Sequence, residues 1–82
     1  MATPLDILEE NLNQTILVTL KTGTWIRGVL KSYDKYLNLV LEKGEEIISN
    51  SENEDINIRK LGDVIVRGDT VVSISAIEKK KG

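Results

Sequence analysis

Eighty-two residues allow one small domain near the lower limit of what a single core supports unaided, and the absence of cysteine rules out disulfides or thiolate metal clusters as extra support. Histidine is absent too, which removes the commonest metal ligand and the usual general base at neutral pH. Eleven basic against thirteen acidic side chains give a net charge of −2, too little positive charge for a module that grips duplex nucleic acid by counterion release.

The chain begins Met1-Ala2-Thr3-Pro4, with neither a basic nor an apolar export region, and no apolar run approaches the roughly 20 residues that cross a bilayer. A cytoplasmic protein without membrane contact is therefore expected. Thr3-Pro4-Leu5-Asp6 reads as a helix start: threonine caps, proline suits the first helical position, and Asp6 completes the capping-box spacing. The helix is expected over about 4–12, ending at Asn11 or Asn13, with Leu5, Leu8 and Leu12 as its apolar stripe.

Gln14 to Leu20 alternates as a first strand, with Ile16, Val18 and Leu20 on one face. Lys21-Thr22-Gly23-Thr24 is a tight turn, and a second strand follows to about Tyr33, with Ile26, Gly28 and Leu30 sharing a face. Gly28, inside a strand, marks a bend or bulge. The elbow Ser32-Tyr33-Asp34-Lys35 leads into an expected third strand, Tyr36 to Lys43, with Leu37, Leu39 and Leu41 turned inward and Tyr36 and Asn38 outward. Gly44 to Asn57 reads as an exposed acidic hairpin loop. Arg59–Val66 and Thr70–Ile77 are the fourth and fifth strands, and Glu78 to Gly82 is a charged, mobile tail.

One helix followed by five strands over about 14–77 implies a mostly β single domain, a strongly bent antiparallel sheet or small open barrel. Val64-Ile65-Val66 and Val71-Val72 are apolar without clean alternation, as strands covered on both faces are. A head-to-tail ring of subunits supplies the second cover and closes the open edges.

Chemistry gathers at two polar turns. The elbow offers the carboxylate of Asp34, the ring of Tyr36 and the amide of Asn38; the turn between the last two strands offers Arg67, Gly68 and Asp69. Brought together, they form a nucleobase site. Each residue also has a plain reading: Asp34 and Gly68 as ordinary turn residues, Gly68 there for its φ, and Tyr36 as a strand aromatic. Asn38 is harder to dismiss, because an amide inside a leucine- and valine-rich strand is poor for strand propensity.

Gly28-x-Leu30 with Asp34-x-Tyr36-x-Asn38-Leu39, followed by Val66-Arg67-Gly68-Asp69, closely resembles the Sm and Sm-like (LSm) family of RNA-binding ring proteins, and the likeness extends from Pro4 to about Ile77. The resemblance implies a helix capping a bent five-stranded sheet. It also implies a homo-oligomeric ring, commonly heptameric, in which strand four of one subunit pairs with strand five of the next. Its expected ligand is uridine-rich single-stranded RNA at the inner rim of the pore, in RNA processing or ribonucleoprotein assembly, with no cofactor, metal or small-molecule substrate. By position, Tyr36 stacks on one face of a base and Arg67 covers the other, Asn38 bonds the uracil edge, Asp34 orients that amide, and Gly68 and Asp69 complete the floor. Archaeal members often carry histidine where Tyr36 stands and methionine at Leu37; a tyrosine stacks at least as well. The alternative is a ring-forming scaffold for protein partners. A hydrolase is disfavoured, because no pair of carboxylates stands out whose surroundings would drive their pKa values apart.

Overall fold

The computed structural model describes residues 3–50 and 55–77. Helix α1 spans Pro4–Glu10, and the Thr3 hydroxyl accepts from the Asp6 N–H while the Asp6 carboxylate accepts from the Thr3 N–H, the expected capping box. The helix stops two residues short of the expected end because Asn11 caps it, its N–H returning to the last turn. Five strands follow: β1 Thr15–Leu20, β2 Trp25–Tyr33, β3 Leu39–Asn50, β4 Asp55–Val66 and β5 Val71–Ala76. They form one antiparallel sheet in the order β4-β3-β2-β1-β5, so β4 and β5 are its two edges.

The inward faces of these strands make the core. Ile16 and Val18 from β1, Ile26 and Leu30 from β2, Leu39 and Leu41 from β3 and Val66 from β4 are buried together. Leu8 closes one end; from the stripe on α1 it alone is fully buried, while Leu5 and Leu12 stay partly exposed. The sheet bends sharply where Gly28 packs. A Cβ there would meet the Glu42 carbonyl oxygen and the Leu41 Cβ, both at 3.1 Å, and the β2–β3 register shifts at this point. Ring-like curvature of a five-stranded sheet depends on that close approach.

Two expectations from the chain are corrected. The third strand starts at Leu39, not Tyr36, because residues 34–38 form a turn. The backbone N–H groups of Tyr36 and Asn38 both donate to the Asp34 carboxylate, so a sheet ladder cannot use them, and Leu37 between them adopts φ +67°. Leu37 still reaches the core from the turn, which is why the leucines mimic an uninterrupted alternation.

The expected acidic loop is instead the far half of a long β3–β4 hairpin. Residues 44–50 and 55–62 are paired through registers such as Glu45↔Lys60, Glu46↔Arg59 and Ile47↔Ile58. Its carboxylates are partnered across strands, Glu45 by Arg27 and Glu46 by Arg59, so acidic composition here records ion-paired strand faces. The expected tail, 78–82, lies outside the described residues.

Candidate nucleic-acid interface

Asp34 organises the turn between β2 and β3. Its Oδ1 accepts the N–H of Tyr36 at 2.9 Å and that of Asn38 at 3.0 Å, and its Oδ2 accepts the Asn38 side-chain amide at 3.0 Å. The Asn38 side-chain bond, then its backbone N–H, holds the Asp34 carboxyl below its ordinary value; the Tyr36 N–H adds to this against a small opposing effect of burial. The carboxylate thus accepts all three donors and faces none of them with a proton of its own.

The second turn, a short 3-10 segment Gly68–Thr70 after Arg67, meets the first through one bond. The Gly68 N–H donates to the Asn38 Oδ1 at 2.7 Å, across 30 residues of sequence. Asn38 is consequently held at both ends of its amide. The carboxylate requires the NH2 group and the Gly68 N–H requires the oxygen, so the orientation of the amide follows from its partners. One N–H and one lone pair remain uncommitted.

Gly68 is not glycine for its φ, as a plain turn would have it: among the described residues, only Gly23 and Gly62 are glycines with positive φ. It is glycine for space. A Cβ at position 68 would lie 1.8 Å from the Tyr36 carbonyl oxygen and 2.9 Å from the Leu37 carbonyl carbon. The two turns touch backbone to backbone.

Tyr36, Asn38, Arg67, Gly68 and Asp69 line one open recess of about 440 Å³. All five were expected to share a site, and Asp34, the sixth, stands behind them as the group that orients Asn38. Tyr36 is 68% exposed, its ring left outside the core. The Arg67 guanidinium donates to the Asp69 carboxylate at 2.8 Å, and the Thr70 hydroxyl donates to the Arg67 carbonyl at 2.7 Å, steadying the turn from within. Lys35 was not singled out from sequence; its ammonium lies 5.4 Å from the centre of the Tyr36 ring. The available signal was a cation adjoining an aromatic within a polar turn.

An exposed aromatic, a guanidinium and an oriented amide around an open recess suit stacking and edge recognition of a flat heterocycle. Among the described residues, no group of three Asp or Glu side chains is placed to hold a metal ion.

The comparisons agree with this geometry. A family model described as the LSM domain matches residues 6–76. An snRNP Sm-like protein of Methanococcoides burtonii is 46% identical over 72 residues, covering 88% of this chain and 93% of that protein. Among solved structures, the P. aerophilum SmAP1 heptamer superposes with a TM-score of 0.82 at 37% identity, over 96% of this chain and 99% of that one. A Pyrococcus abyssii Sm protein in complex with a uridine heptamer gives 0.79 at 36% identity, over 93% and 100% of the two chains.

Proposed function

The chain belongs to the LSM-domain, or Sm-like, family, and from that premise we propose that it assembles into a closed ring, of seven subunits as in its solved relatives, and binds uridine-rich single-stranded RNA at the inner rim. The observation that carries the reading is the Asn38 amide, fixed between the Asp34 carboxylate and the Gly68 N–H beside an exposed aromatic. Uracil presents a ring N–H flanked by carbonyl oxygens. The uncommitted N–H of Asn38 donates to one carbonyl, and its remaining lone pair accepts from the ring N–H. Adenine and cytosine present the opposite pattern on the corresponding edge and fit this amide less well.

Tyr36 supplies the stacking surface, worth about 1–3 kcal/mol per base and indifferent to sequence. Arg67 covers the base from the second turn, its planar cation both stacking and attracting phosphate. Gly68 and Asp69 form the floor, Asp69 by holding Arg67 in place. The work is binding, without catalysis. The edges β4 and β5 carry the apolar residues Val64, Ile65, Val71 and Val72, and head-to-tail pairing of these edges closes the ring.

Fluorescence anisotropy with oligo-uridine and oligo-adenosine tests the site. Asn38→Ala is expected to lower affinity for oligo-uridine about tenfold and that for oligo-adenosine far less, because only edge recognition is lost. Equal losses on the two strands would remove the role given to Asn38. A wild-type ring that binds neither strand would favour a scaffold for protein partners instead.

A further inference from the structure

Strand β4 is 12 residues long, whereas β5, at the opposite edge of the sheet, runs six as described. In a ring closed by β4 against a neighbour's β5, which is the assembly proposed above, at least half of the β4 edge keeps unpaired backbone N–H and C=O groups. The half holding Val64, Ile65 and Val66 matches the apolar Val71, Val72 and Ile74 of β5. The other half, Asp55 to Lys60, is left over.

That half is not blunted as free edges usually are. Ile56 and Ile58 stand on it 63% and 51% exposed. Ile58 also ends a row of directly opposed residues, Trp25↔Ile47↔Ile58, on the face of the sheet away from Ile26 and the core. An apolar stripe thus runs across three strands to an open edge.

The leftover stretch is complementary to itself. When Asp55-Ile56-Asn57-Ile58-Arg59-Lys60 is turned end for end about a two-fold axis at Asn57, Ile56 falls opposite Ile58 of the copy. The aspartate position 55 falls opposite Arg59, and Asn57 opposite Asn57. A register shifted by one residue either way sets both isoleucines against Asn57 or a charged residue. Charge and apolar pattern therefore select one antiparallel register.

We propose that this half-edge docks a second copy of itself, so that hairpins of two rings pair as two-stranded antiparallel ladders and join the rings through two-fold contacts. One such ladder is marginal on its own. A ring presents one per subunit, and the contacts reinforce each other through effective concentration.

Native mass spectrometry and sedimentation velocity on the full chain, over a wide range of protein concentration, test this. The expected result is a species of twice the single-ring mass whose share rises with concentration. Ile56→Lys or Ile58→Lys should abolish the doubling and leave single rings. Because the chain has no cysteine, Asn57→Cys reports the register directly: residues facing across the axis come within disulfide reach, and mild oxidation should link chains in pairs. Lys60→Cys, which faces no copy of itself, should stay unlinked. Single rings at every concentration, or cross-linking of Asn57→Cys no greater than that of Lys60→Cys, overturn the proposal. A chain that runs as monomers would defeat the ring reading instead; the Asn57→Cys cross-link then decides self-docking on its own, pairs supporting it and unlinked chains ending it.

Discussion

Gly68→Ala tests whether the two turns truly work as one site. The added methyl would stand 1.8 Å from the Tyr36 carbonyl oxygen, whereas a carbon and an oxygen ordinarily approach to about 3.3 Å, so the turns must part by about 1.5 Å. The 2.7 Å bond from the Gly68 N–H to Asn38 then stretches beyond hydrogen-bonding range. Holding the turns together against the clash would cost about 1–3 kcal/mol, and losing the bond about 1 kcal/mol more. Both turns are at the surface, so the protein escapes most of that strain by opening the recess. Stability should fall by about 1–2 kcal/mol. Affinity for oligo-uridine should fall about tenfold to a hundredfold, because Arg67 and the Asn38 amide move away from the base together. Denaturant unfolding at fixed protein concentration, since assembly couples stability to concentration, is read beside anisotropy on both oligonucleotides. Gly23→Ala is the control: at φ +88° with nothing within 4 Å of the new Cβ, it should cost about 1 kcal/mol of backbone strain and leave RNA binding unchanged. A Gly68→Ala ring with wild-type stability and unaltered preference for uridine would refute the reasoning.

Arg67→Ala should weaken binding to oligo-uridine and oligo-adenosine alike and flatten the salt dependence, while native mass spectrometry still finds rings; subunits running as monomers would place Arg67 in the interface instead. Asp34 has its carboxyl held below its ordinary value of 3.8 by the Asn38 amide and the two backbone N–H groups. A depressed folded-state value means that its contribution to stability is fully present above about pH 4 and lost as pH falls through the lower folded value. Asp34→Asn should therefore lower stability at pH 7 and narrow the gap from wild type as pH drops, followed by denaturant titrations from neutral to acid pH. A gap that stays constant with pH would show that the carboxylate charge plays no part in holding the turn.

Most of the sheet was legible because its signals are local. The alternation Ile16-Leu17-Val18 and Ile26-Arg27-Gly28 reports which face is buried, and Thr3 with Asp6 reports the start of the helix within a single turn of chain. The misreadings came where the partner is distant. Glu45 and Glu46 look like loop residues until Arg27, eighteen residues earlier, and Arg59, thirteen later, are set opposite them. Nothing in the local composition of 44–57 announces those pairs. Leu37 misled for a related reason: its side chain keeps strand phase while its backbone, at φ +67°, has left the strand.

The site shows the same division. Tyr36, Asn38 and Arg67 could be picked out as residue types that recognise a base, but their cooperation depends on one contact, Gly68 against the Tyr36–Leu37 peptide, that no spacing rule expresses. That contact explains why the turn is a left-handed exception rather than the continuation of β3. A straight strand through 36–38 would turn the Tyr36 and Asn38 N–H groups toward a ladder partner and leave Asp34 without donors; the bent path gives both to Asp34 and frees the ring and one end of the amide for a ligand. Departure from regular structure is thus what creates recognition here: the residues worst suited to a strand are those the turn uses, and the sheet beneath them, closed around Leu8, Leu30, Leu39 and Leu41, supplies the rigidity that lets so small a turn stay in one conformation.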